Sequence, residues 1–194
     1  MPRTDVDGGN LEFTANGNDA LRKGSEIYDR VQHRHTHLLP PPQDVLETEI
    51  GKATMLTWFG TFYQRMMTDP RMAVLFDARH QEANVSAAEH GKRLALFLWT
   101  RWTGDPSYYD EVCPSGSAFR RLAEGHQRAK KCPMRSHNLR GAGFTTGQRD
   151  SWLGHLWYAG KECGVPLELN DQIVNHLATL MGLYGPFVDT EYEA

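Results

Sequence analysis

Three side chains in this sequence stand out for chemistry on a small ligand: Tyr63, His90 and His137. Tyr63 follows Phe62 near the inner end of an apolar helical run, which aims a phenol hydroxyl at the interior. A buried hydroxyl needs a partner, either a backbone carbonyl, as in an ordinary core tyrosine, or a small polar ligand. His90 heads an apolar stripe completed by Leu94, Phe97 and Leu98 at i+4, i+7 and i+8, one face of a helix. It is either a half-exposed histidine at a helix start or a group standing over a flat cofactor. His137 lies in the basic turn Lys131-Cys132-Pro133-Met134-Arg135-Ser136-His137-Asn138, with Lys130 and Arg140 close in sequence. It is either a solvated loop histidine or a metal ligand beside cations suited to carboxylates such as those of a porphyrin.

A further candidate is the alternation His33-Arg34-His35-Thr36-His37. In an extended chain its three histidines share a face and could hold a metal ion. With no carboxylate or thiol beside them, a solvated basic turn is the simpler account. The cysteines Cys113, Cys132 and Cys163 are odd in number, widely spaced and without a C-x-x-C pair. That argues against a disulfide framework or zinc ribbon and fits a reducing compartment.

Helices must position these residues. From Gln43 the pattern turns helical, with Trp58, Phe59, Phe62, Tyr63, Met66 and Met67 recurring at helical spacing. Gly60 either divides two helices or lets one pack closely on a neighbour. Thr68-Asp69-Pro70 stops the run, because the Pro70 ring cannot continue the hydrogen-bond ladder. Ser86 and Glu89 have capping-box spacing ahead of the His90 helix, and Thr103-Gly104-Asp105-Pro106 ends it. The long connection from Ser107 to His137 holds one candidate helix, Ser117 to Lys130. The next helix spans Phe144 to Glu162, capped by Thr145 or Thr146, with Trp152, Leu156 and Ala159 on one face beside Leu153 and Trp157. A last helix, Glu168 to Tyr184, carries the stripe Ile173, His176, Leu177, Leu180 and Tyr184. No segment alternates as a strand does, so the class is all-α.

Residues 1–42 differ in composition and end in Pro40-Pro41-Pro42, which a helix cannot cross. They are expected to form a partly disordered N-terminal extension with one helical segment, Ala20 to Val31, ahead of a domain over residues 43–194. A length of 194 residues suffices for a sizeable core. The net charge of −3 is without the basic excess of a nucleic-acid binder. No apolar run reaches membrane-spanning length, and the start has no apolar core of a signal peptide. A soluble, cytoplasmic protein, monomer or homodimer, is expected.

These motifs together resemble one family. The run Phe62-Tyr63-Gln64-Arg65-Met66-Met67-Thr68-Asp69-Pro70 through Leu75-Phe76 is similar to the distal helix and following corner of truncated haemoglobins. His90 through Leu98, closed by Thr103-Gly104-Asp105-Pro106-Ser107-Tyr108-Tyr109, looks like their next helix. Met134-Arg135-Ser136-His137 followed by Arg149-Asp150-Ser151-Trp152-Leu153 resembles the proximal segment of the second group of that family, where an Arg-His pair precedes an Arg-Asp-Ala-Trp-Leu helix start. Here Ser136 separates the pair, and the turn before Trp152 is longer. The resemblance covers roughly residues 46–184.

The resemblance implies a two-over-two helical sandwich holding haem b (iron protoporphyrin IX). His137 would be the proximal iron ligand, with His126 as the alternative. Tyr63 and Trp152 would donate hydrogen bonds to a bound diatomic ligand, and His90 would line the distal face or bind iron itself. Phe62, Phe76, Leu94 and Phe144 would wall the cofactor, and Arg135 would meet a propionate. It further implies binding of dioxygen, nitric oxide and carbon monoxide. Several donors around a ligand with anionic character should slow its release, which suits nitric oxide dioxygenation or peroxide-driven oxidation, with an electron-donating reductase, better than oxygen transport. Two other readings stand beside it: a specialised haem enzyme whose long inserts shape an organic-substrate pocket, and a haem-free helical interaction module.

Overall fold

The apolar run through residues 55–66 becomes the central part of the longest described helix, which packs on the helices that carry His90 and Trp152. The computed structural model describes residues 17–32, 38–73, 75, 86–112, 144–182 and 187. Among them the regular elements are helices: α1 (Gly17–Gln32), α2 (Gln43–Val45), a wider π turn (Leu46–Ile50), α3 (Gly51–Thr68), α4 (Pro70–Ala73), α5 (Ala87–Thr103), α6 (Ser107–Glu111), α7 (Thr146–Glu162) and α8 (Leu167–Met181). None of them is long and apolar enough to cross a membrane.

Local chemistry sets most of the boundaries. Met55, Trp58, Phe59, Phe62 and Met66 repeat at three- and four-residue steps, and all are 0–1% exposed in α3. Each of the three large rings contributes roughly 1.5–3 kcal/mol by leaving water. Asp69 ends α3 in an extended conformation, and Pro70 opens α4, where its missing N–H is no loss. The Ser86 hydroxyl caps α5 by accepting the Glu89 N–H at 3.2 Å, while the Glu89 carboxylate turns outward to Arg93 at 2.9 Å. Gly104, at φ 79°, closes that helix. Thr145, not Thr146, caps α7, in a full capping box with Gln148.

Helix α7 lies at the centre, with α1 and α3 its most extensive partners, α8 and α4 adding to them, and α5 packing on α3. Two crossings are close because a side chain is missing. A Cβ on Gly91 of α5 would lie 2.6 Å from Gly60 Cα of α3. A Cβ on Gly154 of α7 would lie 1.8 Å from the Ala20 carbonyl oxygen of α1, and one on Gly24 1.7 Å from that of Asp150. Gly60 therefore permits close packing and does not divide a helix. The α3–α7 contact is pinned by the Trp58 indole N–H, which donates to the Leu156 carbonyl at 2.8 Å.

The helical part of the 1–42 stretch is longer than Ala20 to Val31 and is anchored: Ala20, Gly24, Ile27 and Val31 are buried. Its position corrects the expected burial of α7. Periodicity suggests one apolar face; instead Gln148, Arg149, Asp150, Ser151 and His155 are buried as well, because α1 lies against Arg149 and Asp150 and the Asp69–Arg71 corner meets Gln148 and His155. In α8 the buried positions are Ile173, Val174, Leu177, Ala178 and Met181, with His176 and Leu180 only half-buried. The buried face is thus shifted from the expected stripe, and α8 sets it against both α7 and α1. The candidate helix from Ser117 to Lys130, and Tyr184, lie outside the described residues.

Candidate functional site

The inner end of α3, the first turn of α5 and the second turn of α7 bring a row of rings together. Phe62 is fully buried. The Trp152 ring stands against it at 5.0 Å between centroids and 78° between planes. Tyr63 meets Phe62 at 5.1 Å and 67°, and His90 lies on Tyr63 at 5.5 Å and only 19° from parallel. The order Trp152, Phe62, Tyr63, His90 thus runs across three helices. The edge-to-face contacts bring ring edges to ring faces, the arrangement their quadrupoles favour. Leu94, one turn after His90, and Phe144, just before α7, are half-buried and pack on the same core.

Sequence spacing explains how each helix presents its member. Phe62 continues the buried face of α3, and Tyr63 sits at its edge toward α5. His90 can approach Tyr63 because the next residue, Gly91, rests on Gly60. Trp152 is only half-buried, unlike its neighbours Ser151 and Leu153, so it sits where the core meets the outside.

The electrostatics favour donation from Tyr63. Burial pushes its phenol up to about 12, because the phenolate would have to leave water. The hydroxyl therefore keeps its proton, and its capacity to donate, throughout the neutral range. The row thus sets a protonated phenol and an imidazole beside one another among apolar rings, two groups able to hydrogen-bond a small polar ligand.

Of the residues expected at the site, Phe62, Tyr63, His90 and Trp152 are in this row, and Leu94 and Phe144 lie in the core beside it. Phe76, Arg135 and His137, with the alternative His126, lie outside the described residues, as do His33, His35 and His37. Among the described residues no group of three or more His, Cys, Asp or Glu side chains could hold a metal ion.

Two buried polar groupings escaped the sequence reading. His155 of α7 meets Asp69 at 2.8 Å, Nε2 to Oδ2, with side chains only 4% and 1% exposed. Burial alone would raise the Asp69 carboxyl. The hydrogen bond from His155, the Arg71 backbone N–H and the charges of both partners outweigh it and hold the carboxyl below the usual carboxylate range. Arg149 bonds Asp150 at 2.6 Å and lies over the Tyr28 ring at 3.7 Å and the Phe187 ring at 5.1 Å. Nothing local in the sequence links Asp69 with His155; only the fold does. Compared with protein families, curated proteins and solved structures, the chain matches none.

Proposed function

We propose that this chain is a haem-binding globin of the truncated type that takes dioxygen, nitric oxide and carbon monoxide, and that it acts on the bound ligand instead of carrying it. The observation that supports this reading is the row Trp152, Phe62, Tyr63, His90, to which three separate helices contribute. The packing of α3 on α5 and of α7 on α8, with α3 and α7 in contact between the pairs, also supports it, while α1 is an addition that rests on α7.

When bound, haem supplies an iron site for diatomic ligands and for electron transfer. The chain's own part is to hold and polarise. Tyr63 retains its proton and offers it as a hydrogen bond. Phe62 and Trp152 exclude water, which strengthens that bond, and His90 stands parallel to the phenol. The reading further assigns His137, which would hold the iron, Arg135, which would meet a propionate, and Phe76, which would pack against the cofactor. Electrons would come from a reductase, in the cytoplasm, where three thiols without a paired spacing remain reduced.

The decisive experiment purifies the full chain with haem supplied and records ferric, ferrous and carbonyl spectra. A Soret band that His137→Ala abolishes or shifts supports the reading. A colourless protein, or a ferrous-carbonyl spectrum unchanged in His137→Ala, sinks the haem or the proximal assignment respectively. Tyr63→Phe with Trp152→Phe should speed dioxygen release by about ten-fold or more, since each lost hydrogen bond to a charged ligand is worth about 1.5–3 kcal/mol.

A further inference from the structure

We propose that the buried His155–Asp69 contact is a positioning clasp: it fixes the rotation of α7 about its own axis, and with it the angle at which Trp152 meets Phe62, and it opens when Asp69 takes up a proton. The clasp bears on the wall assigned above to ligand binding, but its argument and its test stand without haem.

The contact joins the two helices whose rings meet. Asp69 is the residue that ends α3, about two turns beyond Phe62. His155 is three residues beyond Trp152 on α7, about one turn away. A side-chain bond at one level and a ring contact at another hold α7 against rolling. Of the other ties between these helices, the one from Trp58 to the Leu156 carbonyl ends on backbone, which lies near the helix axis and resists rolling less, and Arg65, which meets Glu162 and the Tyr158 ring, holds the far end of α7 at a half-exposed surface.

The ionised carboxylate is what the surroundings demand. Asp69 Oδ1 accepts the Arg71 N–H at 2.9 Å, and Oδ2 accepts from His155 Nε2 at 2.8 Å. Two charged groups act on it among the described residues, Arg71 from α4 and His155 from α7. The Arg71 guanidinium lies 3.7 Å away. From α1 it meets Gly17, where an added Cβ would be 3.6 Å from Oδ2.

The imidazole is equally constrained. Its Nδ1 is buried and has no hydrogen-bond partner, while Nε2 faces the carboxylate and carries a hydrogen toward it whether or not the ring is charged. Once Asp69 is protonated, a carboxylic O–H must be accommodated where two donors already point. Nε2 could accept that proton only by giving up its own hydrogen, and a hydrogen left on Nδ1 is received by nothing. Either outcome leaves a buried donor unsatisfied. Gln148 also ties α7 to this corner, donating from Nε2 to the Arg71 carbonyl at 3.2 Å. That bond is uncharged and survives acid, so opening lets α7 turn without detaching.

The test uses the full chain labelled with 5-fluorotryptophan, with no haem added. The Trp152 fluorine resonance is assigned by its loss in Trp152→Phe, and that of Trp99, buried on α5, by its loss in Trp99→Phe. On acidification the Trp152 resonance should move first, with a midpoint below the ordinary carboxylate range, while Trp99 stays in place. Asp69→Asn should hold Trp152 at the acid position at every pH. His155→Gln, whose amide can still donate, should keep the neutral position, and His155→Leu should not. Where a variant does not fold, the titration of the unsubstituted chain decides. The proposal is overturned if Trp152 and Trp99 move only together, if Trp152 does not respond to acid, or if Asp69→Asn matches the unsubstituted chain at neutral pH.

Discussion

Tyr63 and His90 lie face to face, 5.5 Å apart and 19° from parallel, across the helix crossing where Gly91 rests on Gly60. The two glycines are not equivalent. A Cβ on Gly91 would be 2.6 Å from the Gly60 Cα and backbone nitrogen, whereas one on Gly60 would meet nothing within 4 Å. Gly91→Ala should therefore force α3 and α5 apart and cost about 1–3 kcal/mol. Gly60→Ala should be neutral or stabilise by up to about 1 kcal/mol through helix propensity. Urea unfolding of the two variants checks the asymmetry, and equal losses would refute it.

The Tyr63 phenol supplies a prediction at alkaline pH. Its folded value, about 12, lies above the ordinary 10.0, so the unfolded chain gives up this proton more readily than the folded one. Stability from this group is present below pH 10 and is lost as pH rises from there toward 12. Tyr63→Phe should remove that part of the alkaline loss. Phenolate absorbance of the folded chain should show one late-titrating tyrosine that the variant lacks. In Gly91→Ala the same titration should move back toward the ordinary value.

The α1–α7 crossing is the least tolerant place among the described residues. Gly154→Ala puts a methyl 1.8 Å from the Ala20 carbonyl oxygen, and Gly24→Ala puts one 1.7 Å from that of Asp150. Both partners are backbone and cannot step aside. Each variant should lose more than the roughly 1–3 kcal/mol typical of overpacking, and α1 should exchange its amide hydrogens faster than α3. Unchanged protection of α1 would show that the crossing is looser than its geometry indicates.

These crossings also mark where the sequence stops being informative. Phe62, Tyr63 and Trp152 were legible because helical spacing and nearby caps are local signals: Ser86 before α5, Thr145 before α7, Asp69-Pro70 after α3. What covers the polar side of α7 was not legible. Arg149 and Asp150 gain their cover from α1, which comes from a stretch that composition sets apart, and no periodicity within α7 announces that. The Asp69–His155 pair was hidden for the same reason. Each residue alone suits a helix stop or a surface position, and only tertiary packing gives it a partner.

His176 gives a prediction near neutrality. It bonds the Leu38 carbonyl at 2.6 Å, and the Trp102 ring stands 5.7 Å away. Burial lowers its affinity for a proton, and the bond to Leu38 only partly opposes that. The unfolded chain thus binds this proton more readily, and the stability contributed at higher pH is lost as pH falls through the ordinary histidine range, about 6.5. Unfolding midpoints taken from about pH 7.5 down to about 5.5 should decline in the unsubstituted chain and decline less in His176→Gln. Parallel profiles would exclude His176 as the source.

The seating of α1 on α7 has a consequence for how the molecule is made. Ala20 and Gly154 touch backbone to backbone yet stand more than a hundred residues apart in the sequence. On a ribosome α1 emerges long before the surface of α7 that completes it, and contacts of such separation form late. Until then its small-residue face lacks that surface to rest on, so α1, made well before α7, is among the last of the described helices to find its place.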